Sequence, residues 1–248
     1  MRSPYLALAA SLSGALIAQL AMAEGPPLSQ KYLEPTRGFF IEHGNVTNVG
    51  QASVELHSGS DSLNSGGGIR LGLPGAELIF NSQLSNYDEN EMLLKWEMPS
   101  FQTSENAPSS INWALISAVS HTDIEPDSSA GLADQTSFKA GFAATVNADA
   151  GTFTLAPQFV YTNGDIKDDT FVEVGAGAYV RLIDTRAGLF SLGAEGIFTT
   201  EDNQDNSYYF GARWTYNEKL NIDIIPLVYS DNDLLGIPGM IRLNVAFY

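Results

Sequence analysis

From about residue 50 onward, apolar side chains fall at every second position, with small or polar residues between them. Runs of roughly ten residues end in clusters of Gly, Asn, Asp and Ser, and then the next run begins. Side chains of a strand point to opposite faces in turn, so each run reads as a strand with one apolar face. The clearest runs place on one face Phe138 to Val146, Phe153 to Tyr161, Val172 to Val180, Phe190 to Phe198, Tyr208 to Tyr216, Leu220 to Ile224 and Ile241 to Phe247. Shorter runs predict strands near 51–58, 67–73, 76–82, 90–98 and 111–121. That makes twelve strands, with ten as the alternative because the first three are short and Gly-rich. No stretch of useful length has the helical period. Regular short strands separated by turn signals mean a sandwich or a barrel.

The connections alternate in kind. Those at 59–66, 83–89, 122–134, 163–169, 200–206 and 230–238 are longer or acidic. Those at 74–75, 148–150, 184–187 and 217–219 are tight, and only 99–110 breaks the rule. Short turns on one side and longer loops on the other are a habit of bacterial membrane barrels, and an even strand count is too.

The start of the chain has a different character. A basic residue, Arg2, precedes a small and apolar stretch ending in Ala21-Met22-Ala23, the three parts of a secretory signal peptide. Residues 1–23 are therefore expected to be removed, leaving 24–50 as a lead-in or plug and 51–248 as the barrel. Pro26, Pro27 and Pro35 argue against a central strand in the lead-in. Within it, residues 38–41 (Gly-Phe-Phe-Ile) read as a strand, a plug touching the lumen or a periplasmic lead-in. After Ala23 nothing approaches the roughly 20 apolar residues of a membrane helix. If the mature chain enters a membrane it does so as a closed barrel, the other structure that satisfies every backbone group in lipid. The chain has no cysteine, which leaves no disulfide and no thiol nucleophile. Its net charge of −17 disfavours nucleic acid as a partner.

Alternation alone does not say which face is wet. The face opposite the apolar one is rich in Gly, Ala, Ser, Thr and Asn. It carries Glu55, Arg70, Glu77, Lys95, Glu97, Lys139, Glu173, Arg181, Glu195, Arg213, Asp223 and Arg242. Sparse, balanced charges among small residues suit a confined lumen in which each ion needs a partner. On the apolar face Trp96, Trp113, Tyr161, Tyr208, Trp214 and Tyr216 fall toward strand ends, where aromatic girdles sit. The sequence ends on an alternating strand at Phe247-Tyr248. This resembles the terminal strand of bacterial outer-membrane proteins, whose aromatic end is read by the barrel-assembly machinery. Here the apolar set ends on Phe247, one residue earlier than is usual in that class. The resemblance implies an antiparallel up-and-down transmembrane barrel in the outer membrane. Its partners would be outer-membrane lipid and lipopolysaccharide, with periplasmic chaperones on the way.

No catalytic site is expected. His43 lies in the lead-in, while His57 and His121 sit near strand ends. Ser120 and His121 are strand neighbours and point to opposite faces. None of the three begins the His-x-Ser-Asn-Gly-like stretch of the outer-membrane phospholipase family. The acid pairs at 168–169, 201–202 and 231–233 read as solvated loop acids, so no metal or cofactor is expected. Residues 65–68 (Ser-Gly-Gly-Gly) lack the lysine and helix of a phosphate-binding loop. The expected function is passive diffusion of small solutes. A barrel of this size resembles the small channels for nucleosides or acidic oligosaccharides, and the balanced lumen argues against the second. A closed structural or adhesion barrel is the alternative, and a soluble periplasmic β-protein the third.

Overall fold

In the computed structural model the described residues are 36–59, 65–84, 87–102, 109–124, 134–164, 168–201, 205–217, 219–230, 234–236 and 239–247. The expected signal peptide, Tyr248 and the acids at 231–233 lie outside them. Twelve strands form the wall: β1 Ala52–Gly59, β2 Ser65–Leu73, β3 Ala76–Leu84, β4 Tyr87–Glu97, β5 Ser110–Ile124 and β6 Gln135–Ala148. They continue as β7 Gly151–Gly164, β8 Asp169–Thr185, β9 Gly188–Thr199, β10 Ser207–Asn217, β11 Leu220–Ser230 and β12 Met240–Phe247. Each pairs antiparallel with the next, and β12 pairs with both β11 and β1, so the sheet closes on itself. Two short strands add to the wall: Phe101–Gln102 on β5 and Leu234–Gly236 on β11.

Register carries one apolar surface around the ring. Leu243 faces Leu56, Ile69 faces Phe80, and Met92 faces Val119. The row goes on through Phe138 opposite Tyr161. These side chains point away from the barrel, with Leu56 57%, Phe138 50% and Leu192 51% exposed. Charged positions in the middle of several of the same strands are buried, among them Arg70, Glu77 and Lys95 at 2%, 0% and 0%. A soluble barrel has the opposite polarity.

Tight turns gather at one end, called the base here. At the β2–β3 turn Pro74 is followed by Gly75 with φ of 68°, a conformation glycine adopts without the cost a Cβ imposes. The wall is uneven in height. Strands β12, β1, β2 and β3 have 8, 8, 9 and 9 residues, while β5 to β8 have 15, 14, 14 and 17. The glycines of β2 serve close strand approach: a Cβ on Gly67 would lie 2.6 Å from the Glu55 carbonyl oxygen.

Candidate functional site

The interior of the ring holds the segment 36–48. It turns back on itself through a bridge between Arg37 and Glu42, with Gly38 N–H donating to the Ile41 carbonyl at 2.8 Å. His43 N–H donates to the Thr36 carbonyl at 3.0 Å, so both arms of this hairpin lead toward the base. The segment joins β1 through a turn in which Gly50 has φ of 78° and its N–H donates to the Gly72 carbonyl. Phe39, Ile41 and His43 are 0%, 4% and 1% exposed. The segment is a plug.

Its tip is held by β9. One Glu195 oxygen accepts the Phe39 N–H at 2.7 Å, and the other accepts those of Phe40 at 2.7 Å and Ile41 at 3.2 Å. The Tyr179 hydroxyl on β8 donates to Glu195 at 2.6 Å and accepts from Phe39 N–H. Three consecutive backbone donors therefore converge on one carboxylate. A Cβ on Gly38 would strike that same carboxylate, and one on Gly193 would lie 2.9 Å from the Phe39 ring.

On the other side Glu42 meets β2 and β4. Arg70 grips it with two nitrogens at 2.7 and 3.0 Å, and Lys95 lies 3.2 Å away. Burial by itself would push the Glu42 carboxyl up, but Arg70, Lys95 and Arg37 together hold it well below the usual carboxylate range. Lys95 also donates to the carbonyls of Thr36 at 2.9 Å and Asn45 at 2.7 Å. Glu77 on β3 sits between the two cations, 3.4 Å from Arg70 and 2.9 Å from Lys95. It also accepts the Thr47 hydroxyl at 2.6 Å. In a ring of twelve, β3 and β9 are six strands apart. The plug thus spans the lumen, its acid on one wall and its amides on the opposite one.

A third group lies on β10, β11, β12 and β1. Arg213 pairs with Asp223 through two contacts at 2.7 and 2.8 Å, and donates to the carbonyls of Arg37 and Gly38. Arg242 lies 3.1 Å from Glu55 and 4.0 Å from Asp223. Arg37 of the plug reaches Glu55 at 3.0 Å.

The interior is not uniformly polar, as the sequence suggested. Ile79, Leu93 and Ile116 point inward and, with Ala118, Ala143 and Ala156, pack around Ile41. Phe39 packs with Tyr179, Ile225, Val228 and Met240, and Phe40 stacks on Tyr209 with ring centroids 3.9 Å apart. Burial of Phe39 and Ile41 stabilises the plug by about 1.5–3 kcal/mol each.

Of the twelve charged positions read from the sequence, Glu55, Arg70, Glu77, Lys95, Glu195, Arg213, Asp223 and Arg242 surround the plug. Lys139 and Glu173 lie nearer the rim, where Lys139 is 3.8 Å from Glu91. Two depart from the expectation. Glu97 is exposed at the base end of β4, and Arg181 donates to the carbonyls of Ala148 and Asp149 in the β6–β7 turn rather than into the lumen. Glu97 ends β4, and Arg181 stands just past Val180, the last β8 residue paired with β7, so at both positions alternation continues but the enclosure ends. Glu42, Tyr179 and Glu91 were not singled out. Glu91 follows from alternation with Met92; Glu42 and Tyr179 gain their roles only from the plug. Trp96, Trp113, Trp214 and Tyr216 lie toward the base, and Tyr161 and Tyr208 toward the rim. Trp113 and Trp214 donate to the carbonyls of Pro99 and Ala187.

No family model and no curated protein matches this chain. Among solved structures it is similar to the NanC porin at 10% identity, over 79% of this chain and 99% of that one, with a TM-score of 0.48. OccAB3 from Acinetobacter baumannii matches at 12% identity over 74% and 54%, TM-score 0.35. The translocator domain of the autotransporter NalP from Neisseria meningitidis matches at 11% over 98% and 96%, TM-score 0.43. By its own geometry, closed and antiparallel, apolar outside and ion-paired within, the chain has the architecture of a membrane-spanning β-barrel.

Proposed function

We propose that this chain is an outer-membrane channel for small solutes, closed at rest by its own segment 36–48 and opened when that segment withdraws toward the periplasm. The observation that carries this reading is how the ion pairs divide. Without the plug, Glu77 still pairs with Arg70 and Lys95, and Asp223 and Glu55 still pair with Arg213 and Arg242. The plug's own Arg37 and Glu42 lie 3.7 Å apart and can leave together. Withdrawal therefore leaves Glu195, held by the Tyr179 hydroxyl, as the one wall acid around the plug without an ion pair among the described residues, whereas breaking a permanent ionic core would leave many ions unpaired. The exposed apolar belt supports an outer-membrane location, with lipid and lipopolysaccharide around it, after signal-peptide removal and insertion by the assembly machinery. No catalytic role is assigned.

A second reading, a permanently closed structural barrel, draws on the burial of Phe39 and Ile41. Asn112 donates to Asn45 of the plug at 2.7 Å, and the chain lacks cysteine, so Asn45→Cys with Asn112→Cys offers a clean tether. Single-channel recording in a planar bilayer is expected to show conductance steps that vanish when the pair is cross-linked and return on reduction. Complete silence of the untethered protein would favour the structural barrel. Steps indifferent to the tether would mean that the plug does not gate the path.

A further inference from the structure

We infer that the open channel selects short peptides with free termini, and that the plug occupies their place at rest. This rests on the channel reading and names its substrate class. With the plug gone, Arg70 and Lys95 carry two positive charges against the single negative charge of Glu77. On the opposite wall Glu195 loses the three amides it accepted and keeps, among the described residues, its hydrogen bond from the Tyr179 hydroxyl. The lumen then presents a cationic pole and an anionic pole facing each other across its width. The plug satisfies both as a peptide does, giving a carboxylate to one and N–H donors to the other.

The width sets the length of the solute. Twelve strands about 4.8 Å apart, tilted by about 40°, give a backbone-to-backbone diameter of about 24 Å. Allowing about 6 Å for the basic side chains, about 4 Å for glutamate and about 3 Å for each hydrogen bond leaves roughly 8 Å. A single amino acid is too short to touch both poles. An extended chain advances about 3.3–3.6 Å per residue, so two to three residues span the gap. Between the poles, the sites now filled by Phe39 and Ile41 would receive alternate side chains; the first is walled by Tyr179, Ile225 and Val228. Neutral sugars and singly charged solutes engage one pole at most.

The test is swelling of liposomes that contain the full chain, with three probes of similar size: trialanine, N-acetyl-trialanine amide and the neutral sugar N-acetylglucosamine. Trialanine is expected to enter about threefold faster than its blocked form, the scale of one solvent-exposed charge pair at each pole. Glu195→Gln should bring that ratio toward one, and Arg70→Met should do so from the other pole, which guards against either variant failing to fold. Equal rates for all three probes would overturn the peptide inference and leave the channel intact. Entry of none of them above empty vesicles would overturn the channel reading and the inference together.

Discussion

Glu195 accepts the backbone N–H of Phe39 at 2.7 Å although the two residues stand 156 positions apart in the chain. Every other buried wall acid at the level of the plug, Glu55, Glu77 and Asp223, lies beside a wall base. Glu195 is held by the plug's amides and by Tyr179, which makes it the latch of the closed state.

Replacing the latch should free the tip. Glu195→Ala removes several hydrogen bonds to a charged acceptor, each worth about 1.5–3 kcal/mol. Amide hydrogen exchange at Phe39, Phe40 and Ile41 is expected to speed up by roughly a hundredfold or more, about 3 kcal/mol of lost protection, while the wall strands keep theirs. Unchanged protection at those three amides would remove Glu195 from the role.

The plug can also be displaced without touching a charge. A side chain on Gly193 meets the rings of Tyr179 and Phe39. Gly193→Val is expected to cost the plugged state about 1–3 kcal/mol through overpacking and to raise the open probability in bilayer recordings. The barrel itself should still form, as checked by the mobility of unheated protein in a denaturing gel.

The charges around Glu42 are not equivalent. Glu42→Gln keeps an amide oxygen for Arg70 but leaves Arg70 and Lys95 sharing the one charge of Glu77 in a buried site, so it should cost about 3 kcal/mol, the low end for a broken buried pair. Arg70→Met leaves Glu42 and Glu77 sharing Lys95 in a buried site, and should cost about 3–5 kcal/mol. Urea titration of the refolded protein in vesicles measures both. A milder effect from Arg70→Met than from Glu42→Gln would contradict the pairing described here.

Acid should release the Glu42 contact only late. Its cationic neighbours outweigh the effect of burial and hold the Glu42 carboxyl below its free value, about 4.3 for an unperturbed glutamate. A depressed carboxylate contributes fully above the free value and loses its contribution as pH falls through the lowered one. The part of the acid response that Glu42→Gln abolishes is therefore expected to be absent from neutral pH to about pH 5 and to show in bilayer conductance only in stronger acid. A rise confined to pH 6–7 would point to another group.

The outer face should answer to depth. Leu192 lies on β9 within the apolar belt, facing Val180 and Ala212, and Tyr216 lies at the base end of β10. Leu192→Arg is expected to destabilise folding into vesicles by about 2–4 kcal/mol, and Tyr216→Arg by about 0–1 kcal/mol. Equal costs would argue that Leu192 does not face lipid.

The sequence by itself determined the wall. Alternation such as Phe138, Ala140 and Phe142 against Lys139 and Gly141 places two faces on each strand, because the side-chain period of a strand is two. The tight turns at Pro74-Gly75 and Asp149-Ala150 then set the neighbours. All twelve strands and the inward direction of Arg70, Lys95, Glu195 and Arg213 follow from those local rules. Only the tertiary structure decided what fills the lumen. Residues 36–48 have no period, and their backbone donors find partners on strands more than a hundred residues away, at Thr145, Tyr179 and Glu195. A local pattern records which face a residue lies on. It carries no trace of a contact made across a closed ring, which exists only once β12 has met β1 and enclosed the space that the plug occupies.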